Sequence, residues 1–439
     1  GGPSNGGNNH GISIRNANSK ISFNGGAVNV TGQGGGSSSS QLDFGINVES
    51  GASITSAGTG MVTVLGSAGQ GSGIFNAGVS VSGTNSAITS VGGNVKVTGN
   101  GGGSSASGAN IGVAIQQSGG ISAGGNGTVE VIGFGGSNST GSNNAGVFLN
   151  LSGTINSSNG NVIIMGTGGG LGSSAGNYGV YVTDASIISA GGIGTVNVQG
   201  TGGTATGSDN NGVLLEKPNS VITSSGGNVS VIGIEGGGLT AFGIVTQLTG
   251  TITTAANGGN ISLSANSMNM LAAISTNGSS SASIFPYTNG TAIDLGSASN
   301  TVGGPLVLSD TELDLISTGT LIIGNANAGN ITISANITRS LSTNIQLISN
   351  GDVLFTGGGI NTNGGTLLLD PANAPYAVKP TYTGTDVTAG ILSFASDLAI
   401  LISGTTLGDG SGATYSQLAV LGSVNLSGVN LFCSGSYVP

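Results

Sequence analysis

Two aliphatic residues separated by one position recur along the first part of the chain at a fixed beat. A glycine leads one such pair in GISI from Gly11, GINV from Gly45, GVSV from Gly78 and GVAI from Gly112. It continues in GVFL from Gly146, GVYV from Gly179 and GVLL from Gly212, with a weaker copy, GIVT, from Gly243. The leading glycines are 34, 33, 34, 34, 33, 33 and 31 residues apart. A second pair keeps the same beat: Val28/Val30, Val62/Val64, Val95/Val97, Val129/Val131, Val162/Ile164, Val196/Val198, Val229/Val231 and Ile261/Leu263. Between them runs a row of single isoleucines: Ile21, Ile54, Ile88, Ile121, Ile155, Ile188, Ile222 and Ile252. A two-residue alternation of β-branched side chains predicts strands, three short ones per unit.

Repeats of this length that cannot bury an apolar face alone predict stacking. Each unit of 33 or 34 residues is therefore expected to form one coil of a parallel β-helix, an all-β β-solenoid with an aliphatic lining. Successive coils would lie about 4.8 Å apart. A polar row accompanies the aliphatic ones. Two positions before each leading glycine stand Asn9, Asp43, Asn76, Asn110, Asn144, Asn177 and Asn210. Asparagines at one turn of consecutive coils predict a structural side-chain amide ladder, and asparagine also suits left-handed turn geometry. The glycines that follow are expected to permit a tight corner. No proline occurs between Pro3 and Pro218, as expected where strand N–H groups must pair.

The strict beat covers residues 1–265. From 266 to 370 strand-like runs continue, among them LVLS, TLIIG, NITIS, IQLIS, DVLF and TLLLD. These predict shorter, less regular coils. The segment 371–384, with Pro371, Pro375 and Pro380, is expected to be a linker. Residues 385–439 carry further strand signals without a capping pattern, so the chain is expected to continue or to be covered by another chain at that end. It also begins inside a repeat, which suggests that something precedes it.

Composition sharpens this picture. Of 439 residues 89 are glycine and 5% are charged, yet 36% are apolar. That apolar fraction separates the chain from disordered sequences. Sixteen acids against six bases give a net charge of −10, with no basic patch for nucleic acid. No apolar run is long enough to cross a membrane. The single cysteine, Cys433, forms no disulfide framework and is expected to be a buried thiol.

Two segments carry a resemblance. Residues 291–334, TAIDLGSASNTVGGPLVLSDTELDLISTGTLIIGNANAGNITIS, resemble a segment of very large exoproteins of the filamentous-haemagglutinin type. Residues 411–431 resemble the passenger-repeat ends of autotransporter-like adhesins. The resemblance implies a right-handed parallel β-helix exported to a bacterial cell surface, with roles in adhesion, biofilm or sheath.

Candidate chemistry is sparse. β-Helix enzymes that cleave polysaccharides need clustered carboxylates, whereas Asp43, Glu49, Glu130, Asp184, Asp209, Glu216 and Glu235 stand singly and the sole histidine, His10, lies near the start. An enzyme is not expected, nor is a cofactor. Asp310, Glu312 and Asp314 would share a strand face and bind Ca²⁺. Alternatively, Ser309 and Glu312 form a capping box for a short helix near 309–316, the favoured reading. One surface feature points outward. The middle residues of the glycine-led strands run Ser13, Asn47, Ser80, Ala114, Phe148, Tyr181, Leu214 and Val245. The last four, Phe148, Tyr181, Leu214 and Val245, are expected to form an exposed apolar stripe, covered by another subunit or by the chain's own long loops. The expected function is an extracellular structural or adhesive surface protein that forms a rod or fibre by self-association. Glycans and cell surfaces are candidate partners. The alternative is a carbohydrate-binding or polysaccharide-degrading β-helix.

Overall fold

In a computed structural model, residues 1–255, 258–297, 303–371, 378–380, 387–395, 398–401 and 417–434 are described. They fall into two compact units, Gly1–Ile261 with Met270–Ile274, and Ser262–Asn269 with Ser275–Pro439. Among the described residues no helix is long and apolar enough to cross a membrane.

The first unit is a parallel β-helix whose coils each contribute one strand to three sheets. In the first sheet Ile12–Arg15, Ile46–Glu49, Val79–Ser82, Val113–Gln116, Val147–Asn150, Val180–Val182, Val213–Leu215 and Ile244–Thr246 pair in parallel, each with the next. In the second, the isoleucine row forms one column: Ile21 pairs with Ile54, then Ile88, Ile121, Ile155, Ile188, Ile222 and Ile252 in register. In the third, Val28–Gln33 begins a stack that runs through Val62–Ser67, Val95–Asn100, Val129–Phe134, Val162–Thr167 and Val196–Thr201 to Val229–Ile234. From Ile54 to Ile252 the isoleucines of the column are fully buried. Like aliphatics thus lie directly above one another, and each coil shares its lining with its neighbours.

The amide ladder forms. Asn9 Nδ2 donates to Asp43 Oδ1, Asn76 to Asn110, Asn110 to Asn144, Asn144 to Asn177 and Asn177 to Asn210, at 2.8–3.1 Å. Asn210 closes the series by donating to the carbonyl oxygens of Ala205, Gly207 and Gly237. The expected left-handed geometry is displaced by one residue. It falls on Asn8, Leu42, Phe75, Ala109, Asn143, Gly176 and Asp209, and not on the ladder residues themselves. The bend comes first, and the asparagine after it turns into the stack.

The leading glycines serve close approach. A Cβ on Gly146 would lie 2.3 Å from the nitrogen of Thr167. The partner surface is a second glycine row that the aliphatic beat does not announce, Gly32, Gly66, Gly99, Gly133, Gly166, Gly200 and Gly233, in register at the third sheet. A Cβ on Gly133 would lie 2.0 Å from the carbonyl oxygen of Gly146. The corner is thus built from two backbones with no side chain between them.

The second unit is also formed of parallel strands, with shorter coils. Thr320–Gly324 pairs with Asn344–Ser349, and that with Thr366–Pro371. On another sheet Ile293–Leu295 pairs with Ile331–Ile333, that with Val353–Phe355, and that with Val378–Pro380. Equivalent residues Leu321, Ile345 and Leu367 are 24 and 22 positions apart. The expected linker is corrected in its described part. Pro371 ends a strand opposite Ser349, and Val378–Pro380 is a strand opposite Val353–Phe355. Strand pairing therefore runs up to both sides of this proline-rich stretch. Residues 372–377 and 381–384 lie outside the described residues.

The capping box closes. Ser309 N-caps a helix, Asp310–Asp314, with its hydroxyl accepting from Glu312 N at 3.2 Å and its N–H donating to Glu312 Oε2 at 2.9 Å. Buried Arg339 holds the other end, donating to the carbonyl oxygens of Leu313 and Ile316. Asp310 accepts from Thr338 N, and Asp314 accepts from Ser340 N and pairs with Arg339. All three acids are therefore engaged in local structure, which leaves the calcium reading without a shared ligand face. Cys433 is exposed, not buried. Its strand, Leu431–Ser434, pairs with Leu398–Leu401, and its neighbours Leu431 and Phe432 are exposed as well.

Candidate functional site on the outward face of the first sheet

Two rows of side chains leave the outer face of the first sheet, two residues apart along each strand. The first is the expected stripe, in register as Ser13, Asn47, Ser80, Ala114, Phe148, Tyr181, Leu214 and Val245. It is not an exposed stripe. Leu214 and Val245 are 3% and 4% exposed, and Phe148 and Tyr181 are half-buried. Residues just before the leading glycines turn back over the sheet. Phe44, Ala77 and Ile111 form a second, outer apolar cluster with Ala114, against which Leu42, Phe75 and Phe148 pack. Chain of the same molecule thus covers much of this face.

Aromatic rings collect in this outer layer. His10 stacks on Phe44 at 5.0 Å between centroids, and Phe44 meets Phe75 edge-on at 5.7 Å. Further along, Tyr181 lies 5.1 Å from Phe148 and 4.7 Å from Tyr178. Such offset and tilted pairs are favoured ring arrangements.

The second row is polar throughout. Arg15, Glu49, Ser82, Gln116 and Asn150 lie in register, and Thr183, Glu216 and Gln247 follow the next three strands. Arg15 Nε pairs with Glu49 Oε1 at 2.6 Å, and Arg15 Nη2 lies 3.0 Å from His10 Nε2. Glu216 accepts from Tyr181 Oη, from Thr183 Oγ1 and, at 3.0 Å, from Gln247 Nε2. Acids that stand singly in sequence thus find partners one coil away. Lys96–Glu130 and Lys217–Asp184 do the same on other rows, at 2.9 and 3.0 Å. A coil length places residues 33 or 34 apart side by side, so charged groups that stand singly in the sequence meet in the stack.

Environment tunes the titratable groups. Burial, assisted by the Arg15 guanidinium, holds the His10 imidazole below its ordinary value against the pull of Glu49 and Asp43. Burial first, then Asp209 and Glu216, pushes the Tyr178 hydroxyl up to about 12. Tyr181 is raised further by burial and by its bond to Glu216. Both tyrosines therefore stay protonated donors.

The two rows and the outer layer enclose two clefts. One, of about 230 Å³, is lined by Phe75, Ile111, Asn143, Ala145, Phe148, Tyr178 and Tyr181. The other, of about 250 Å³, is lined by His10, Arg15, Phe44, Asn47, Glu49, Phe75, Ser82 and Gln116. Phe75 belongs to both. Asn47 is 1% exposed, and neither its Oδ1 nor its Nδ2 has a hydrogen-bond partner; Asn150 Oδ1 is likewise buried and unpartnered. Buried amides without partners are rare and costly. On the third sheet a cleft lined by Ile163, Met165 and Ile232 has no such group among the described residues. Among the described residues no cluster of three His, Cys, Asp or Glu side chains is placed to hold a metal.

No known family, curated protein or solved structure matches the chain.

Proposed function

We propose that this chain is a structural and adhesive component of an extracellular surface, stiff along its coils and self-associating into rods or fibres. The observation that carries the reading is the uninterrupted register of three parallel sheets through the first unit, with an amide column beside them from Asn76 to Asn210. Each coil is held by its neighbours through backbone bonds, aliphatic columns and side-chain amides, so the stack resists bending while leaving its outward positions free to vary. Outward variation suits a display surface. Outward residues as different as Lys96, Glu130 and Ile163 occupy one row. The likeness of residues 291–334 and 411–431 to large bacterial exoproteins of the filamentous-haemagglutinin and autotransporter type points the same way, towards export and adhesion.

Negative-stain microscopy of the purified chain across a dilution series tests the reading. Elongated particles that lengthen with concentration are the expected result, together with attachment of cells to surfaces coated with the protein. Compact particles of fixed size that retain no cells would overturn it.

A further inference from the structure

We infer that the two clefts on the first sheet form one trough that binds a neutral, extended polysaccharide. This rests on the adhesive reading above and names the ligand class for it. The trough follows the coil axis. From Arg15 to Thr183 the polar row advances five coils, about 24 Å at the usual strand spacing, and offers one hydrogen-bonding side chain per coil. A pyranose ring in an extended glycan spans about the same length as one coil, so successive sugars would meet successive side chains.

The chemistry fits a sugar on both sides. Sugar hydroxyls donate and accept at once, and Asn47 presents one unused donor and one unused acceptor into the trough. A sugar hydroxyl that reaches this amide would supply both missing bonds at once. In the same clefts, half-buried Phe75, Phe148 and Tyr178 would present apolar surface to the C–H faces of sugar rings. Charge selects the class of polymer. Among the described residues Arg15 is the single Lys or Arg lining either cleft, and it is already paired with Glu49. Asp209 and Glu216 act on Tyr178 from the other end. An acidic polymer would find no unpaired Lys or Arg among the described lining residues and would feel Asp209 and Glu216 near one end, whereas a neutral one meets no repulsion.

Electrophoresis of the intact chain through native gels containing β-glucan, xylan or galactomannan tests the inference, with polygalacturonate and alginate as acidic counterparts. Retardation by at least one neutral polymer is expected. Asn47→Ala and Tyr178→Ala should each weaken it about tenfold, the equivalent of one lost hydrogen bond or contact. Met165→Ser, on the third sheet, should leave it unchanged. Circular dichroism checks that each variant is folded. If Asn47→Ala does not fold, Tyr178→Ala, on the outer layer, decides. Retardation by no neutral polymer, by the acidic polymers alone, or equally for the wild type and both trough variants would overturn the inference. Microscopy reads the rod and the gels read the trough, so either proposal can fail alone.

Discussion

The asparagine column shows what one side chain does when it is repeated at coil spacing. Each interior amide accepts from the coil before and donates to the coil after, so neither polar atom is stranded in the buried turn. Asp43 is the exception. It accepts from Asn9 at Oδ1 but has no amide hydrogen to pass on. Asn76 Oδ1 receives only the backbone N–H of Asp43, and Asp43 Oδ2 is buried without a partner. Asp43→Asn supplies the missing donor in an unchanged shape. The expected gain is about 1–3 kcal/mol, the cost of one unmade buried bond. It should appear as a raised thermal midpoint; an unchanged or lowered midpoint would show that the carboxylate is satisfied in another way.

Strands in this protein are defined less by their own residues than by what stands at the corners. The meeting of the two glycine rows brings backbone against backbone, and Gly133 has no room for a methyl group. Gly133→Ala should therefore cost several kcal/mol and open the coil around Val129–Phe134 to protease. A variant as resistant as the wild type would mean that the corner can widen. This corner also shows where sequence reading stopped. The aliphatic beat was plain because alternation and coil spacing are both properties of the string of residues. The glycine at the end of V-x-V-x-G keeps the same beat, from Gly32 to Gly233, and passed unnoticed because nothing in a lone glycine says which backbone will approach it. Asn9 to Asn210 were legible as a ladder for the same reason as the aliphatics. The candidate site was legible only in part. Phe148 and Tyr181 were found by alternation on their strand, but the outer layer that makes them walls of a cleft comes from irregular loops. The pairing of Arg15 with Glu49 was also readable, since 34 residues separate them, had charged residues been compared at coil spacing. Asn47, the most telling side chain in the trough, looked like any outward asparagine until its burial was known.

At the scale of the whole first unit, stability is shared between neighbours, and a coil is an interchangeable part. Removing residues 112–145 joins Ile111 to Gly146, two positions already equivalent to their old neighbours. The aliphatic columns, both glycine rows and the amide column would all close again. This deletion should leave a folded protein with the same strand signal per residue by circular dichroism. Removing residues 112–128 alone takes one strand from the first and second sheets and none from the third, leaving that coil unable to close, and should lower the thermal midpoint and the strand signal. If both deletions behave alike, the coil is not the unit of this structure.

The amide column has one further effect. Backbone bonds between coils run both ways: Ile46 N–H donates forward to Gly78, and Ser53 N–H donates back to Ser19. Their dipoles largely cancel, as in sheets generally. The side-chain amides all donate in one direction, from Asn9 towards Asn210. Aligned in this way they add, as peptide groups do along an α-helix, and each strengthens the next. The stack thus carries an electrical polarity along its length, with the positive end on the side of Asn210 and a single break at Asp43.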